Sequence, residues 1–326
     1  MTGLTRILVT SWTISPRDEE AMAILEAGGF EPVFQKSSPA WSIEQVVATL
    51  DGMPGVIAST EQYNDEVFSR APNLRVISRT GVGYDAVDVD AANRHGVAVM
   101  TTPGANDRTV ADFAMTLILA LARNLMEADR NLREGRWVRP PAVDMRDKTL
   151  GIIGTGAIGK HVARRAHGFE CRILASDLVQ DQDFAARYGV EYVPLDRLLA
   201  ESDFVTIHAP LMAQTHHLIG ERQLRAMKST ACLVNTARGP LVDEQALLQA
   251  LQEGWIAAAG LDVFETEPPW GSPLLELENV IVSPHCAGIS AESGRAMSRI
   301  ACQNLVAVLN GEPPIFCVNP SVLQRP

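Results

Sequence analysis

Residues 150–159 read Leu-Gly-Ile-Ile-Gly-Thr-Gly-Ala-Ile-Gly, an apolar run that passes directly into three spaced glycines. The run predicts a buried strand and Lys160–His167 predicts a helix, so the glycines lie in a strand-to-helix turn. Gly154 permits the tight turn, Gly156 lets the backbone approach a pyrophosphate, and Gly159 lets helix and strand pack closely. The helix N-terminus offers N–H groups and a positive dipole end to an anion. The stretch therefore predicts a dinucleotide site.

The next predicted strand ends at Asp177, eighteen residues after Gly159. A carboxylate at this point accepts hydrogen bonds from the adenosine ribose hydroxyls and repels a 2′-phosphate. The following residues, Leu178 and Val179, offer no arginine for such a phosphate. A glycine-rich turn alone is weak evidence, whereas the turn together with Asp177 predicts NAD rather than NADP as the cofactor.

Outward from this turn, short β-rich segments alternate with helical ones along the whole chain. Such alternation predicts an α/β fold with mainly parallel sheets and helices on both faces. The predicted strands are Ile7–Ser11, Pro32–Phe34, Val56–Ser59, Arg75–Arg79, Val97–Met100, Thr149–Ile153, Arg172–Ser176, Tyr192-Val193, Phe204–His208, Cys232–Asn235, Ala258–Leu261 and Val280–Ser283. The predicted helices include Pro16–Ala27, Ile43–Leu50, Asp107 to about Arg133, and Ser290–Leu309.

Composition excludes several classes of function. The 326 residues carry a net charge of −11, which argues against a nucleic-acid partner because that needs a basic face. Five scattered cysteines with no CxxC pair predict reduced thiols in a cytoplasm and no metal site. The N-terminus lacks a signal-peptide core, and the apolar stretch Val110–Leu121 is too short to span a bilayer. We therefore expect a cytoplasmic protein with no membrane partner.

Three further segments begin at the carboxyl ends of predicted strands, where ligands bind in an open α/β sheet. They contain Arg238, Glu267 and His285. Reduction of a 2-keto acid needs a cation for the carboxylate, a proton donor for the developing alkoxide, and a carboxylate that orients the donor and favours its charged form. These three residues supply one of each. Taken singly, each could also be an ordinary cap or loop residue.

The order and spacing of several motifs resemble those of the D-isomer-specific 2-hydroxyacid dehydrogenases, in particular the phosphoglycerate dehydrogenase-like branch. The resemblance covers about residues 5–318. The motifs are residues 78–85 (SRTGVGYD), 154–159, 208–210 (HAP), 235–239 (NTARG), 262–268 (DVFETEP) and 284–285 (PH).

The resemblance implies a function for each matching residue. Arg238 would bind the substrate carboxylate, Glu267 would support His285, and His285 would be the acid/base. The backbone of Val82-Gly83, with Arg79 nearby, would help bind the substrate. The implied cofactor residues are Thr102, Gly154, Gly156, Ala157, Ile158, Gly159, Asp177, His208, Ala209, Pro210, Thr215, Thr236, Ala237, Arg238, Asp262, His285 and Gly288.

It also implies the architecture of two doubly wound parallel-sheet domains. A Rossmann NAD-binding domain, residues 103–285, would be inserted into a flavodoxin-like substrate domain formed by residues 1–102 and 286–326. Relatives of this kind usually form homodimers through the cofactor domain, using the long helix and the loop 135–139.

Some features leave the substrate open. Phosphoglycerate enzymes carry an arginine where this chain reads Ala58-Ser59-Thr60, which weakens the case for a phosphorylated substrate. Glyoxylate, hydroxypyruvate, phosphohydroxypyruvate and larger 2-keto acids remain candidates. Two alternatives share the same fold: an NAD(H)-sensing, corepressor-like binding protein, and a dehydrogenase of a non-carboxylate oxyanion such as phosphonate.

Overall fold

The computed structural model describes residues 4–38 and 41–324. Its strands are β1 (Thr5–Val9), β2 (Phe30–Phe34), β3 (Gly55–Ala58), β4 (Val76–Arg79), β5 (Ala98–Met100), β6 (Thr149–Ile153), β7 (Arg172–Ser176), β8 (Val190–Tyr192), β9 (Phe204–Ile207), β10 (Cys232–Asn235), β11 (Ala258–Leu261) and β12 (Val280–Val282). Its α-helices are α1 (Glu19–Ala27), α2 (Ile43–Thr49), α3 (Asp65–Arg70), α4 (Val89–His95), α5 (Asp107–Ala122), α6 (Leu125–Arg133), α7 (Ala157–Gly168), α8 (Gln182–Tyr188), α9 (Leu195–Glu201), α10 (Glu221–Ala226), α11 (Glu244–Gln252) and α12 (Ala291–Leu309).

The chain divides into two compact units, one formed by residues 1–106 and 289–326 and the other by residues 107–288. The expected boundaries at 103 and 285 lie three or four residues away. Within the described residues of the first unit, five parallel strands form a sheet in the order β2-β1-β3-β4-β5. This is the strand order of flavodoxin-like sheets.

The second unit contains a parallel sheet in the order β12-β11-β10-β9-β6-β7-β8 within the described part of the chain. The chain runs outward from β6 through β7 to β8, and then continues at β9 on the opposite side of β6. This reversal is the topological switch point of a Rossmann-type sheet, and ligands bind there at the carboxyl ends of the strands. The predicted α/β class with two parallel sheets is confirmed.

One predicted helix is wrong in its extent. Instead of a single helix over residues 107–133, α5 and α6 meet at an angle of 62°. Asn124 between them has φ +45°, a left-handed conformation that asparagine tolerates better than most residues, and its side-chain amide donates to the carbonyl of Pro141. This long-range hydrogen bond and the backbone turn outweigh the continuous helical pattern.

Smaller differences concern the ends of elements. Helix α1 begins at Glu19 rather than Pro16, because the Asp18 side chain caps it by accepting from the backbone N–H of Ala21. Strand β8 begins two residues earlier than predicted and ends one residue earlier, at Tyr192.

The length and composition of the helices show whether any of them could span a membrane. Within residues 4–38 and 41–324, no single helix is long and apolar enough to cross a bilayer. The bent pair α5 and α6 meets the criterion only when the lengths of the two helices are combined, and α5 contributes seven buried residues to the core of the second unit.

The contact between α7 and β6 depends on Gly159. A Cβ added at this residue would lie 2.0 Å from the carbonyl oxygen of Gly154, a backbone atom that cannot move aside. We expect Gly159→Ala to lower the free energy of unfolding by about 1–3 kcal/mol, the cost of overpacking. Urea unfolding measures this change.

Gly168, in the same helix, is the matched control. An added Cβ there meets no atom within 4 Å in the described part of the chain, so Gly168→Ala should be neutral or slightly stabilising. Equal stability of the two variants would contradict the packing argument.

Candidate active site

The carboxyl ends of the parallel strands in the second unit all lie at one edge of the sheet. The glycine loop follows β6, Asp177 follows β7, and His208 follows β9. Arg238, Asp262 and His285 follow β10, β11 and β12, which are consecutive neighbours in the sheet. The predicted site residues of this unit are therefore brought to one edge.

The glycine loop has the predicted geometry. Gly154 has φ +91°, and a Cβ on it would lie 2.8 Å from the backbone of His208 and Ala209. At Gly156 an added Cβ would meet nothing within 4 Å among the described residues, so the backbone is open at the start of α7. Because α7 carries no acidic residue in its first turn, its N–H groups and dipole favour an anion.

Asp177 is held firmly. Its Oδ2 accepts from the backbone N–H of Thr155 at 2.5 Å and from the Thr155 hydroxyl at 3.1 Å, and its Oδ1 accepts from the N–H of Val179 at 3.0 Å. Partial burial raises the pKa of Asp177, but the hydrogen bonds from Val179 and Thr155 outweigh it, so the net pKa is lowered. Asp177 is consequently a fixed, ionised acceptor.

Two buried polar atoms near the strand ends have no hydrogen-bond partner among the residues that the structure describes: His208 Nδ1 and Thr236 Oγ1. Buried polar atoms are normally paired, so each points to a missing partner. Burial also lowers the pKa of His208 to about 3, which leaves this imidazole neutral at physiological pH. Nε2 of His208 lies 3.0 Å from the Thr206 hydroxyl, so only Nδ1 is left for a further hydrogen bond, and the neutral ring is not a proton donor to a developing alkoxide.

The loop that carries Arg238 is fixed by Asn235. The Asn235 side chain accepts from the N–H of Ala237 at 3.0 Å and donates to the carbonyl of Arg238 at 2.7 Å. The next residue, Gly239, approaches the β11 loop so closely that a Cβ would lie 1.9 Å from the carbonyl carbon of Phe264. Arg238 itself is half-buried and donates to the carbonyl of Ala237.

Asp262 organises the loop after β12. Its carboxylate is 1% exposed and accepts from the Ser283 hydroxyl at 2.6 Å and from the N–H groups of Cys286 and Ala287 at 2.9 and 2.8 Å. Its carbonyl accepts from the N–H of His285 at 2.8 Å. His285 has φ +51°, so these bonds hold a non-glycine residue in a left-handed conformation.

Glu267 and His285 form the predicted pair. Glu267 Oε2 lies 2.7 Å from His285 Nδ1, and Glu267 Oε1 accepts from the N–H of Phe264 at 3.1 Å. With Nδ1 engaged by the carboxylate, Nε2 is the nitrogen available to a substrate. The His285 side chain is 41% exposed, which gives a small molecule access to the imidazole.

The neighbouring loop is tied down by a reciprocal pair. The N–H of Glu265 donates to Glu244 at 2.6 Å, and the N–H of Glu244 donates to Glu265 at 3.2 Å. His217 Nε2 lies 2.8 Å from Glu265 Oε1, and Nδ1 of the same ring lies 3.9 Å from Asp243. His217, Asp243 and Glu265 thus link three loops, and one potential ligand atom from each residue lies within 4.8 Å of the others.

The other predicted residues are placed as follows. The Thr215 hydroxyl shapes its own loop by donating to the carbonyl of Pro210 at 2.7 Å. In the first unit, Thr102 is buried and its hydroxyl accepts from the N–H of Gly81, which fixes the start of the Val82-Gly83 segment. Arg79 is also buried and donates to the carbonyl of Ser59. The part that the first-unit residues play in binding stays a prediction.

Sequence reasoning missed several supporting residues. Ser283, Asn235 and Thr155 all hold functional loops, yet none was singled out. A signal existed for Asn235, since asparagine after a strand commonly forms a side-chain turn with the backbone two residues on. Ser283 and Thr155 act through contacts with residues more than twenty positions away, which have no local signature.

These features define a dinucleotide-dependent oxidoreductase, with an open helix N-terminus that favours an anion, a fixed carboxylate at Asp177 and a histidine–carboxylate pair at one sheet edge. A family model for the D-isomer specific 2-hydroxyacid dehydrogenase NAD binding domain matches residues 115–287. The chain belongs to this family, and its cofactor is NAD. It is an NAD-dependent oxidoreductase that acts on the CH–OH group of 2-hydroxy acids.

Individual relatives agree. A glyoxylate reductase of Korarchaeum cryptofilum is 50% identical over 272 residues, which is 81% of this chain and 82% of that protein. One of Thermococcus gammatolerans is 46% identical over 274 residues, with coverage of 81% and 82%. The solved structure of a glyoxylate reductase from Paecilomyes thermophila superposes with a TM-score of 0.84 at 31% identity, covering 98% of this chain and 100% of that one.

The Asp262 contacts generate a prediction. In Asp262→Asn, the amide NH₂ would face N–H or O–H donors at one of the two former oxygen positions, which leaves a buried donor unpaired. We expect a loss of about 1–3 kcal/mol in the free energy of unfolding, measured with urea.

Asp196→Asn provides the comparison, because Asp196 forms an exposed ion pair with Arg222 and should change stability by less than about 0.5 kcal/mol. If Asp262→Asn were as stable as Asp196→Asn, Asp262 would not hold the loop of His285.

Proposed function

We propose that the enzyme reduces small, unphosphorylated 2-keto acids, with glyoxylate as the leading candidate, and that Arg238, Glu267 and His285 carry the chemistry. The observation that carries the proposal is the 2.7 Å contact between Glu267 and His285, at the strand ends next to the Arg238 loop. The names of the relatives support glyoxylate. The absence of an arginine at Ser59 or Thr60 argues against a phosphorylated substrate.

The chain's own residues then act in distinct ways. The Arg238 guanidinium binds the substrate carboxylate, since a planar fork of donors matches a carboxylate. His285 donates its Nε2 proton to the carbonyl oxygen as that oxygen becomes an alkoxide. Glu267 accepts a hydrogen bond from Nδ1 of the ring, which orients Nε2 toward the carbonyl oxygen of the substrate. In the reverse direction, His285 takes the proton from the hydroxyl group.

The residues present fit the cofactor. The N–H groups at Gly156, Ala157 and Ile158 would bind the pyrophosphate, and Asp177 would accept from the adenosine ribose. The unpaired atoms His208 Nδ1 and Thr236 Oγ1 offer further polar contacts at the same sheet edge. Bound NADH supplies the hydride for the carbonyl carbon.

Replacement of His285 tests the proton donor. We expect His285→Ala to lower the rate of NADH oxidation with glyoxylate by about 10²–10⁴-fold, the usual cost of losing a general acid. The Kd for NADH, measured by fluorescence, should change little. Stopped-flow absorbance of the nicotinamide with a panel of 2-keto acids gives the rates.

His167→Ala is a suitable control, because His167 is exposed on α7 and only touches the edge of Tyr188. Near-normal turnover by His285→Ala would remove His285 from the mechanism. Silence of the wild type across the whole panel, with NADH binding intact, would contradict the proposed substrate class.

We further propose that the enzyme is a homodimer in the cytoplasm. Several large apolar side chains on α6 and in the segment after it are exposed, and exposed apolar side chains that lie close together in the chain favour an interaction site. This α6 surface comprises Leu125, Met126, Leu132, Trp137 and Val138. The five cysteines are free thiols, which supports a reducing compartment.

A charge on the α6 surface should prevent assembly. We expect a wild-type mass of twice 35.3 kDa in light scattering at micromolar concentration, and a monomer for Leu132→Glu combined with Trp137→Glu. Ile315→Glu is the control, since Ile315 is an exposed apolar residue of the other unit. A monomeric wild type, or a dimeric double variant, would refute this interface.

A further inference from the structure

A chain of hydroxyl groups ends on the Asp177 carboxylate. The Thr155 hydroxyl lies 3.1 Å from Asp177 Oδ2 and 3.0 Å from the hydroxyl of Tyr192. The backbone N–H of Asp181 donates to the Tyr192 hydroxyl at 3.2 Å. Neither Thr155 nor Tyr192 is needed for the chemistry at His285, so the chain calls for another explanation.

The direction of these hydrogen bonds follows from proton counting. An ionised carboxylate only accepts, so the single hydroxyl proton of Thr155 points to Asp177. Thr155 must then accept from Tyr192, and Tyr192 in turn accepts from the N–H of Asp181. All three bonds run toward Asp177, and successive bonds in such a chain polarise and strengthen one another.

The far end of the chain is anchored on three elements. Tyr192 is the last residue of β8 and pairs with Ala175 of β7. Asp181 caps α8 by accepting from the N–H of Phe184 at 2.9 Å, and it also pairs with Lys160 of α7. The Tyr192 hydroxyl is therefore held in place independently of Asp177, and Thr155 is 5% exposed.

We propose that Tyr192 and Thr155 are positioning residues that fix the Asp177 carboxylate and thereby set the preference for a ribose 2′-hydroxyl over a 2′-phosphate. The proposal rests on the proposed function of Asp177 as the ribose acceptor. A 2′-phosphate is admitted only if the carboxylate turns away, and turning it breaks its bonds to Thr155 and to Val179. Removal of the Tyr192 hydroxyl deprives Thr155 of its donor and loosens this restraint.

Binding of cofactor fragments tests the proposal without turnover. Calorimetric titration with ADP-ribose and with its 2′-phosphate gives a Kd for each fragment. The Kd of the 2′-phosphate divided by the Kd of ADP-ribose measures the discrimination. Tyr192→Phe and Thr155→Val should each reduce that ratio by about three- to tenfold, the equivalent of one net hydrogen bond. Thr155→Ser keeps the hydroxyl and should preserve the ratio.

Tyr188→Phe is the matched control. Tyr188 ends α8, where its ring packs against Phe184 and beneath Arg164, and its hydroxyl is not part of the chain that leads to Asp177. The ratio of the two Kd values for Tyr188→Phe should equal that of the wild type. Thermal unfolding of every variant reports stability separately from discrimination.

The Asp177→Ala variant separates the possible failures. If Asp177→Ala leaves the ratio unchanged, Asp177 is not the ribose acceptor. The proposed function of Asp177 is then wrong, and so is this inference. If Asp177→Ala abolishes discrimination while Tyr192→Phe and Thr155→Val retain it, this inference alone is overturned. An equal loss of affinity for both fragments, or a Tyr192→Phe effect that persists in the Asp177→Ala background, shows mere structural support and also overturns it.

Discussion

The buried carboxylate of Asp262 ties the end of β11 to the loop after β12 through three hydrogen bonds, from Ser283, Cys286 and Ala287. Asp262 is 1% exposed, so its carboxylate depends on these three donors in place of water. The loop has little freedom to move while the three hydrogen bonds are formed. The position of His285 depends on this loop. The contact of Glu267 with His285 depends on the positions of the β11 loop and of the β12 loop, because Glu267 belongs to the segment that Asp262 begins.

The same principle recurs along the sheet edge. In the second unit, Asn235 fixes the Arg238 loop and Thr155 fixes Asp177. Within the first unit, Thr102 fixes the segment that begins at Gly81 in the same way. Loops fixed in this way would hold the proposed catalytic groups within the tolerance that proton transfer and anion binding require. Gly239 packs against the backbone of Phe264, and Gly159 of α7 packs against the backbone of Gly154. Neither contact leaves space for a side chain on the glycine.

Much of this arrangement could be read from the sequence. Alternating β and α segments predict the two parallel sheets, and the spacing from Gly154 to Asp177 predicts the cofactor strands. The break between α5 and α6 was not predictable from periodicity, because it depends on the left-handed backbone of Asn124 and a bond to Pro141, which lies seventeen residues away. Likewise, Tyr192 reaches Thr155 only because β7 and β8 pair in one particular register. Long-range polar contacts of this kind have no local sequence pattern.

At His285, the free-energy cost of a left-handed backbone is set against the need for a particular side chain. A non-glycine residue in this conformation costs on the order of 1–2 kcal/mol, which glycine would avoid. Glycine at position 285 would therefore remove a backbone cost, whereas the proposed proton donor requires an imidazole there. The residue is a point of local frustration, and a stabilised variant that keeps the imidazole has to gain its stability elsewhere, for example in the cores beneath the sheet, rather than by relaxing this backbone.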